Sequence, residues 1–245
     1  VSPNAPPLLR VDQLVKRFGG FRALDGVSFH LAPGEVLGLV GPNGSGKTTC
    51  INVISGLYAP DGGSVMFDGA SIGATPMHRL ARLGINRTFQ SPKPFLSLTV
   101  RENVEIAAAY GHGGAVAGAP PDLTALLASM QLDTLANRTA GDLNSAQQKT
   151  LDLARALATA PRLLLVDELA AGLNPAELLV MADRLRAMAD AGMAMLVVEH
   201  LMGFIDRVTD RVIVMNAGRE IFEGTLAAAT GDPDVIRVFL GGAHG

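Results

Sequence analysis

Val36-Leu37-Gly38-Leu39-Val40-Gly41-Pro42-Asn43-Gly44-Ser45-Gly46-Lys47-Thr48-Thr49 is the stretch on which the fold of this chain turns. Its first five residues are a continuous apolar run ending against a glycine, the pattern of a strand buried on both faces. The residues from Gly41 to Thr48 then match G-x-x-x-x-G-K-[ST], and helical spacing continues from Lys47 to about Leu57. Glycines let such a loop curl so that successive N–H groups point inward at an anion, and the positive end of the following helix faces the same anion. The pattern therefore predicts a cradle for the phosphates of ATP, formed by Gly41, Asn43, Gly44, Ser45, Gly46, Lys47, Thr48 and Thr49. In it Lys47 reaches the β- and γ-phosphates and the Thr48 hydroxyl ligates Mg²⁺.

The flanking sequence predicts an α/β protein in which strands feed helices. Short apolar runs at Leu8–Val11, Val27–Leu31 and Ser64–Phe67, bounded by turn residues, read as antiparallel strands. Leu163–Val166, Ala194–Val198 and Val212–Met215 read as buried strands, with a helix over Pro175–Ala189 between the first two. Pro175 suits a first helical turn, where its missing N–H is no loss. The middle third differs: Thr99–Tyr110 and Leu123–Gln131 read as helices on either side of Gly111–Pro121, an uncharged Gly/Ala/Pro linker read as a flexible surface loop. Residues 91 to 160, approximately, are thus expected to form a helical subdomain inserted into the α/β core.

Composition sets the limits. At 245 residues the chain can bury a full core; with no Trp and 4% aromatics, that core must be aliphatic. Mean hydropathy is +0.29, yet no apolar run approaches the roughly 20 residues a membrane span requires, so a soluble chain is expected. The first ten residues show no basic segment leading into an apolar one, and no secretory signal is expected there. A formal net charge of −3 gives no electrostatic reason to expect nucleic acid as a partner. The single cysteine, Cys50, rules out an internal disulfide framework and reads as a small buried side chain behind the phosphate loop.

A second motif follows from the apolar run Leu163-Leu164-Leu165-Val166, which ends in Asp167-Glu168. Open α/β sheets bind ligands beyond the carboxyl ends of their strands. Asp167 there can hold Mg²⁺ through a water, leaving Glu168 to orient and deprotonate an attacking water. Acids after an apolar strand are common on their own; the phosphate loop earlier in the chain is what makes these two catalytic candidates.

With these residues in place, the chain resembles the nucleotide-binding subunits of ATP-binding cassette (ABC) transporters over nearly its whole length. The resemblance implies one domain over residues 1–245, with a P-loop NTPase (RecA-like) core, an antiparallel β subdomain and the inserted α-helical subdomain. Gln90, in Arg87-Thr88-Phe89-Gln90-Ser91, matches the glutamine that in this family contacts Mg²⁺ and faces the permease. His200, in Val198-Glu199-His200, matches the histidine that contacts the γ-phosphate, a second catalytic position beside Glu168. Phe18, in Lys16-Arg17-Phe18-Gly19, matches the aromatic that stacks on adenine, although Phe21 is close by.

The family's Leu-Ser-Gly-Gly-Gln signature appears here as Leu143-Asn144-Ser145-Ala146-Gln147. The resemblance implies that Asn144, Ser145, Ala146 and Gln147 contact the nucleotide bound on a partner subunit. Asn144 is a good N-cap and Gln147 completes a capping-box pattern, so the helix start should survive the departures. The Ala146 methyl group is expected to hinder close approach of backbone to phosphate. Two other departures are Leu169, where the family has Pro, and Asn174, where it has Asp.

Arg17–Phe21, Gly84–Gln90, Ala171–Pro175 and Asp232–Ile236 look like the branch serving importers of branched-chain amino acids and related amides or urea. That likeness implies a second ABC ATPase subunit, two integral membrane permeases and, indirectly, an extracytoplasmic solute-binding protein. It also implies residence at the cytoplasmic face of the cell membrane, with a permease helix seated near Ser91–Leu98. Two other readings stay open from sequence: a cassette ATPase without a transport role, and a regulatory subunit with weak hydrolysis.

Overall fold

The computed structural model describes residues 6–111 and 121–241. The antiparallel pair β1 (Leu9–Phe18) and β2 (Phe21–Leu31) runs into β3 (Val36–Val40), the phosphate-loop sequence and α1 (Lys47–Ile54). β4 (Gly62–Phe67) and β5 (Ala70–Ser71) return to the first pair, completing a sheet of order β2-β1-β4-β5. After α2 (Met77–Leu83) and β6 (Ile85–Arg87) come α3 (Val100–Gly111), α4 (Leu123–Ser129) and α5 (Ser145–Leu157). The remainder alternates: β7 (Leu163–Asp167), α6 (Pro175–Asp190), β8 (Ala194–Val198), α7 (Met202–Val208) and β9 (Arg211–Asn216). β10 (Arg219–Gly224), α8 (Leu226–Gly231) and α9 (Pro233–Gly241) end it.

The second sheet has the order β10-β9-β3-β8-β7-β6 and is parallel except for β10. Strand periodicity explains how it anchors two cores. Leu37 and Leu39 of β3, Leu163 and Leu165 of β7, and Leu196 and Val198 of β8 face α1 and the antiparallel sheet. Val36 and Val40, Leu164 and Val166, and Met195 and Val197 face α5, α6 and α7. Every residue of β3, β7 and β8 is buried, as strands covered on both faces must be.

The structure extends or trims several of the expected elements. α1 stops at Ile54 rather than near Leu57, because Gly56 turns with φ +74° and a Cβ there would lie 2.3 Å from the Thr75 carbonyl oxygen. β1 and β2 extend beyond the apolar runs, through buried Leu14, Ala23 and Leu24, to exposed ends at Arg17-Phe18 and Phe21-Arg22. β6 has only three residues, too short for periodicity to reveal. Of the Gly111–Pro121 linker, residues 112–120 lie outside the described residues.

Candidate functional site

β3 pairs with β8, β8 with β7, and β7 with β6, all in parallel, so four carboxyl ends lie side by side. The segments that leave them begin at Gly41, Glu199, Glu168 and Thr88. Residues far apart in sequence thus meet along one edge of the sheet, where open α/β folds bind ligands.

The loop after β3 requires glycine at two points. Gly41 has φ +145°, and a Cβ there would stand 2.2 Å from the Met215 carbonyl oxygen. Gly46 has φ +106°, and its Cβ would stand 2.6 Å from the Ala23 carbonyl oxygen, where β2 crosses behind the loop. Gly46 is also the N-cap of α1 and supplies no side-chain cap, so the first-turn N–H groups of α1 are available to an anion. Lys47 is buried, its Nζ donating to the carbonyl oxygens of Gly41 at 2.8 Å and Pro42 at 2.9 Å. Burial lowers its pKa, while the charges of Glu168 and Asp167 act in the opposite direction. Ser45 is buried; Asn43, Gly44 and Thr48 are exposed and Thr49 is half-buried.

Asp167 ends β7 in a buried position. Its Oδ2 accepts from Arg87 Nη2 at 3.0 Å, and its backbone N–H donates to Thr88 Oγ1 at 3.3 Å. Oδ1 has no hydrogen-bond partner among the described residues. Burial raises the Asp167 pKa, Arg87 opposes the rise, and the neighbouring Glu168 charge adds to it. Glu168, next in sequence, adopts φ +49°, a costly backbone conformation for a residue with a side chain. Its N–H donates to the Val198 carbonyl at 2.9 Å, and this turn carries its carboxylate to the sheet edge. There Oε1 lies 2.8 Å from His200 Nε2, and Oε2 accepts from Gln90 Nε2. Gln90, Glu168 and His200, each named from the sequence, are therefore one hydrogen-bonded cluster.

Two sequence-named groups stand apart from that cluster. Phe18, at the end of β1, packs edge-on against Tyr58 with ring centroids 5.2 Å apart, and Lys16 Nζ lies 5.6 Å from its ring centroid. Phe18 is 44% exposed and Phe21 63%, so both rings offer an open face. Asn144 caps α5: its Oδ1 accepts from the Gln147 N–H at 2.8 Å, and Gln147 Oε1 accepts from the Asn144 N–H at 3.0 Å. The capping box read from the sequence is present, with Ser145 exposed and Ala146 half-buried. No hydrogen bond among the described residues joins Asn144–Gln147 to Gln90, Glu168 or His200. Asn174 does the same work for α6, its Oδ1 accepting from the Ala176 and Glu177 N–H groups, a cap that Asp would make equally well.

Behind the cluster lie residues the sequence reading passed over. Lys149, buried on α5, donates to the carbonyls of Leu169 at 2.9 Å, Glu168 at 3.3 Å and Ala171. Glu199, buried beside it, accepts the Ala170 N–H at 2.6 Å; burial raises its pKa, which that hydrogen bond and the Lys149 charge partly offset. Asp152 of α5 accepts the Phe89 N–H at 2.9 Å. Glu199, directly before His200 at the end of an apolar strand, and Lys149, two residues after Gln147, were the available signals; Asp152 had none. Cys50 is fully buried, and burial pushes its thiol up to about 12, which makes it inert.

The donor set suits a nucleotide-bound Mg²⁺. Such an ion takes one or two protein oxygens and completes its shell from phosphate and water, so no protein cage is needed. The free Oδ1 of Asp167, the exposed Thr48 hydroxyl and the Gln90 amide are hard oxygen donors of that kind. Among the described residues there is no group of three or more His, Cys, Asp or Glu able to cage an ion.

Comparison with known proteins agrees with this fold. Residues 24–171 match the family model described as ABC transporter. The high-affinity branched-chain amino acid transport ATP-binding protein BraF of Pseudomonas aeruginosa is 36% identical, over 97% of this chain and 99% of that protein. The solved ADP conformation of an ATP-binding cassette of an ABC transporter matches with a TM-score of 0.86 at 32% identity, covering 97% of this chain and all of that one. A dimeric cassette in a post-hydrolysis state, bound to ADP and Pi, matches with a TM-score of 0.77 at 25% identity, over 89% of this chain and 98% of that one. The chain belongs to the ABC transporter family, as one of its ATP-binding cassettes.

Proposed function

We infer that this cassette binds and hydrolyses ATP to energise an importer of branched-chain amino acids or of related amides and urea. The observation that carries the chemistry is Glu168, held between Gln90 and His200 at the same sheet edge from which the phosphate loop leaves. The Gly41–Thr49 loop and the start of α1 would bind the phosphates through backbone N–H groups, with Lys47 swinging from its carbonyl partners to the β- and γ-phosphates. Phe18 would support adenine. Mg²⁺, when bound, would offset phosphate charge, with Thr48, Gln90 and Asp167 as its protein-side contacts. Glu168 would orient the attacking water and take its proton, and His200, hydrogen-bonded to Glu168, would contact the γ-phosphate.

A second cassette is the partner this reading requires. The dimeric cassette noted above supports it, as does the capped N-terminus of α5, where Asn144 and Ser145 are exposed and Ala146 and Gln147 half-buried. Closure over ATP would drive the change because ATP binds the closed pair more tightly than the open one. Among the described residues no helix is long and apolar enough to cross a membrane. Two permease subunits would therefore carry the solute, fed by an extracytoplasmic binding protein, with the cassette at the cytoplasmic face. The name of BraF supports the solute class.

The test is co-purification followed by uptake in proteoliposomes. Wild-type cassette with its permeases should accumulate labelled leucine when ATP is supplied, and Lys47→Ala should not. Uptake of urea without leucine would reassign the solute, and recovery without any integral membrane protein would contradict the transport role.

A further inference from the structure

Arg87, at the end of β6, is buried among three other elements. Nη2 donates to Asp167 Oδ2 at 3.0 Å, on β7. Nη1 donates to Asn52 Oδ1 at 2.8 Å and to Ser55 Oγ at 3.0 Å, within and just after α1. The guanidinium also lies 4.9 Å from the Phe89 ring centroid, and the Phe89 N–H is held by Asp152 of α5.

A buried ion pair is a poor device for stability alone, since the lost hydration offsets much of the attraction. Its geometry here has another use. Arg87 engages one oxygen of Asp167 from behind and leaves the other free, which is how outer-shell partners orient a metal-facing carboxylate. The same planar fork grips α1, the helix whose second residue is Thr48. One side chain thus ties Asp167 to the helix that carries Thr48 in its first turn.

We propose that Arg87 is a positioning residue that holds Asp167 and α1 in register for Mg²⁺, and so sets the magnesium requirement of nucleotide binding. The inference rests on the reading of Asp167 and Thr48 as metal-facing groups given above. It opposes a simpler expectation, that a cation beside Asp167 only repels Mg²⁺ and that its removal would tighten binding.

The experiment uses the full chain and a fluorescent trinitrophenyl-ATP probe, titrated with MgCl₂ and, separately, bound in EDTA. Losing an outer-shell partner typically costs 10–100-fold in metal affinity, so Arg87→Met should raise the half-saturating Mg²⁺ by about tenfold or more. Its probe affinity in EDTA should match wild type. Arg87→Lys, which keeps the charge but not the fork, should raise the midpoint by less. A midpoint unchanged or lowered in Arg87→Met overturns the proposal, as does an equal loss of affinity in EDTA. If Arg87→Met does not fold, Arg87→Lys decides by the same titration: a raised midpoint supports the role and an unchanged one overturns it. Asp167→Asn separates the two levels. If its midpoint does not rise, the metal-facing reading of Asp167 fails; if it rises while Arg87→Met does not, only the Arg87 role falls.

Discussion

Replacing Lys149 by Met keeps most of the side chain's length and removes its charge where α5 meets the loop after β7. The amine is buried and serves the carbonyls of Glu168, Leu169 and Ala171, and its charge acts on buried Glu199. Each hydrogen bond to a charged group is worth about 1.5–3 kcal/mol, but exposed Ala171 would recover water and lose little. The carbonyls of Glu168 and Leu169 lie inside the fold and would each lose a charged donor, so our figure for Lys149→Met is about 3–5 kcal/mol. For a chain of this size the melting temperature should then fall by roughly 10 °C. Urea unfolding should show an earlier midpoint with an unchanged m-value. Glu168 sits on the loosened loop, so hydrolysis should slow while ATP binding, made by a different loop, persists. Lys149→Met/Glu199→Gln should recover part of the loss, because the stranded charge is gone. A destabilisation below about 1 kcal/mol would refute the reasoning, since it would mean that the amine is not paying for its burial with these contacts.

Two further predictions come from the same geometry. Gly41→Ala places a methyl against the Met215 carbonyl in a backbone region closed to alanine, a strain of about 1–3 kcal/mol; ATP affinity by equilibrium dialysis should fall about tenfold with circular dichroism unchanged, and wild-type affinity would contradict the account. Burial raises the Asp152 pKa above its ordinary 3.8, against the opposing Phe89 N–H, Arg155 and Arg87. The folded chain therefore binds that proton more tightly than the unfolded one, and stability from this group falls as pH rises from near 4 through the raised value, then levels. The Asp152→Asn variant should gain on wild type across that window in urea midpoints, and a difference that shrank as pH rose would contradict the sign.

The parallel core was legible because burial on both faces leaves continuous apolar runs, as in Val36–Val40 and Leu163–Val166. The phosphate loop was legible because one contiguous stretch, Gly41 to Thr49, carries its glycines, Lys47 and Thr48 between a strand and a helix. Convergence of Gln90, Glu168 and His200 was less so: strand order brings them together, and no local pattern encodes strand order. Lys149 and Glu199 went unread because their reason for being charged lies across the fold, in carbonyls of a loop and in each other. The joined ends of β1 and β2, Arg17-Phe18 and Phe21-Arg22, carry no burial signal, since they face solvent.

The central claim is that Glu168 is the general base of an active ATPase, and phosphate release by the cassette with its permeases tests it most directly. General-base catalysis contributes about 10²–10⁴-fold, so Glu168→Gln should release phosphate at least about a hundredfold more slowly than wild type while binding ATP as tightly. Equal rates in the two proteins, or no release by wild type with permeases present, would contradict it.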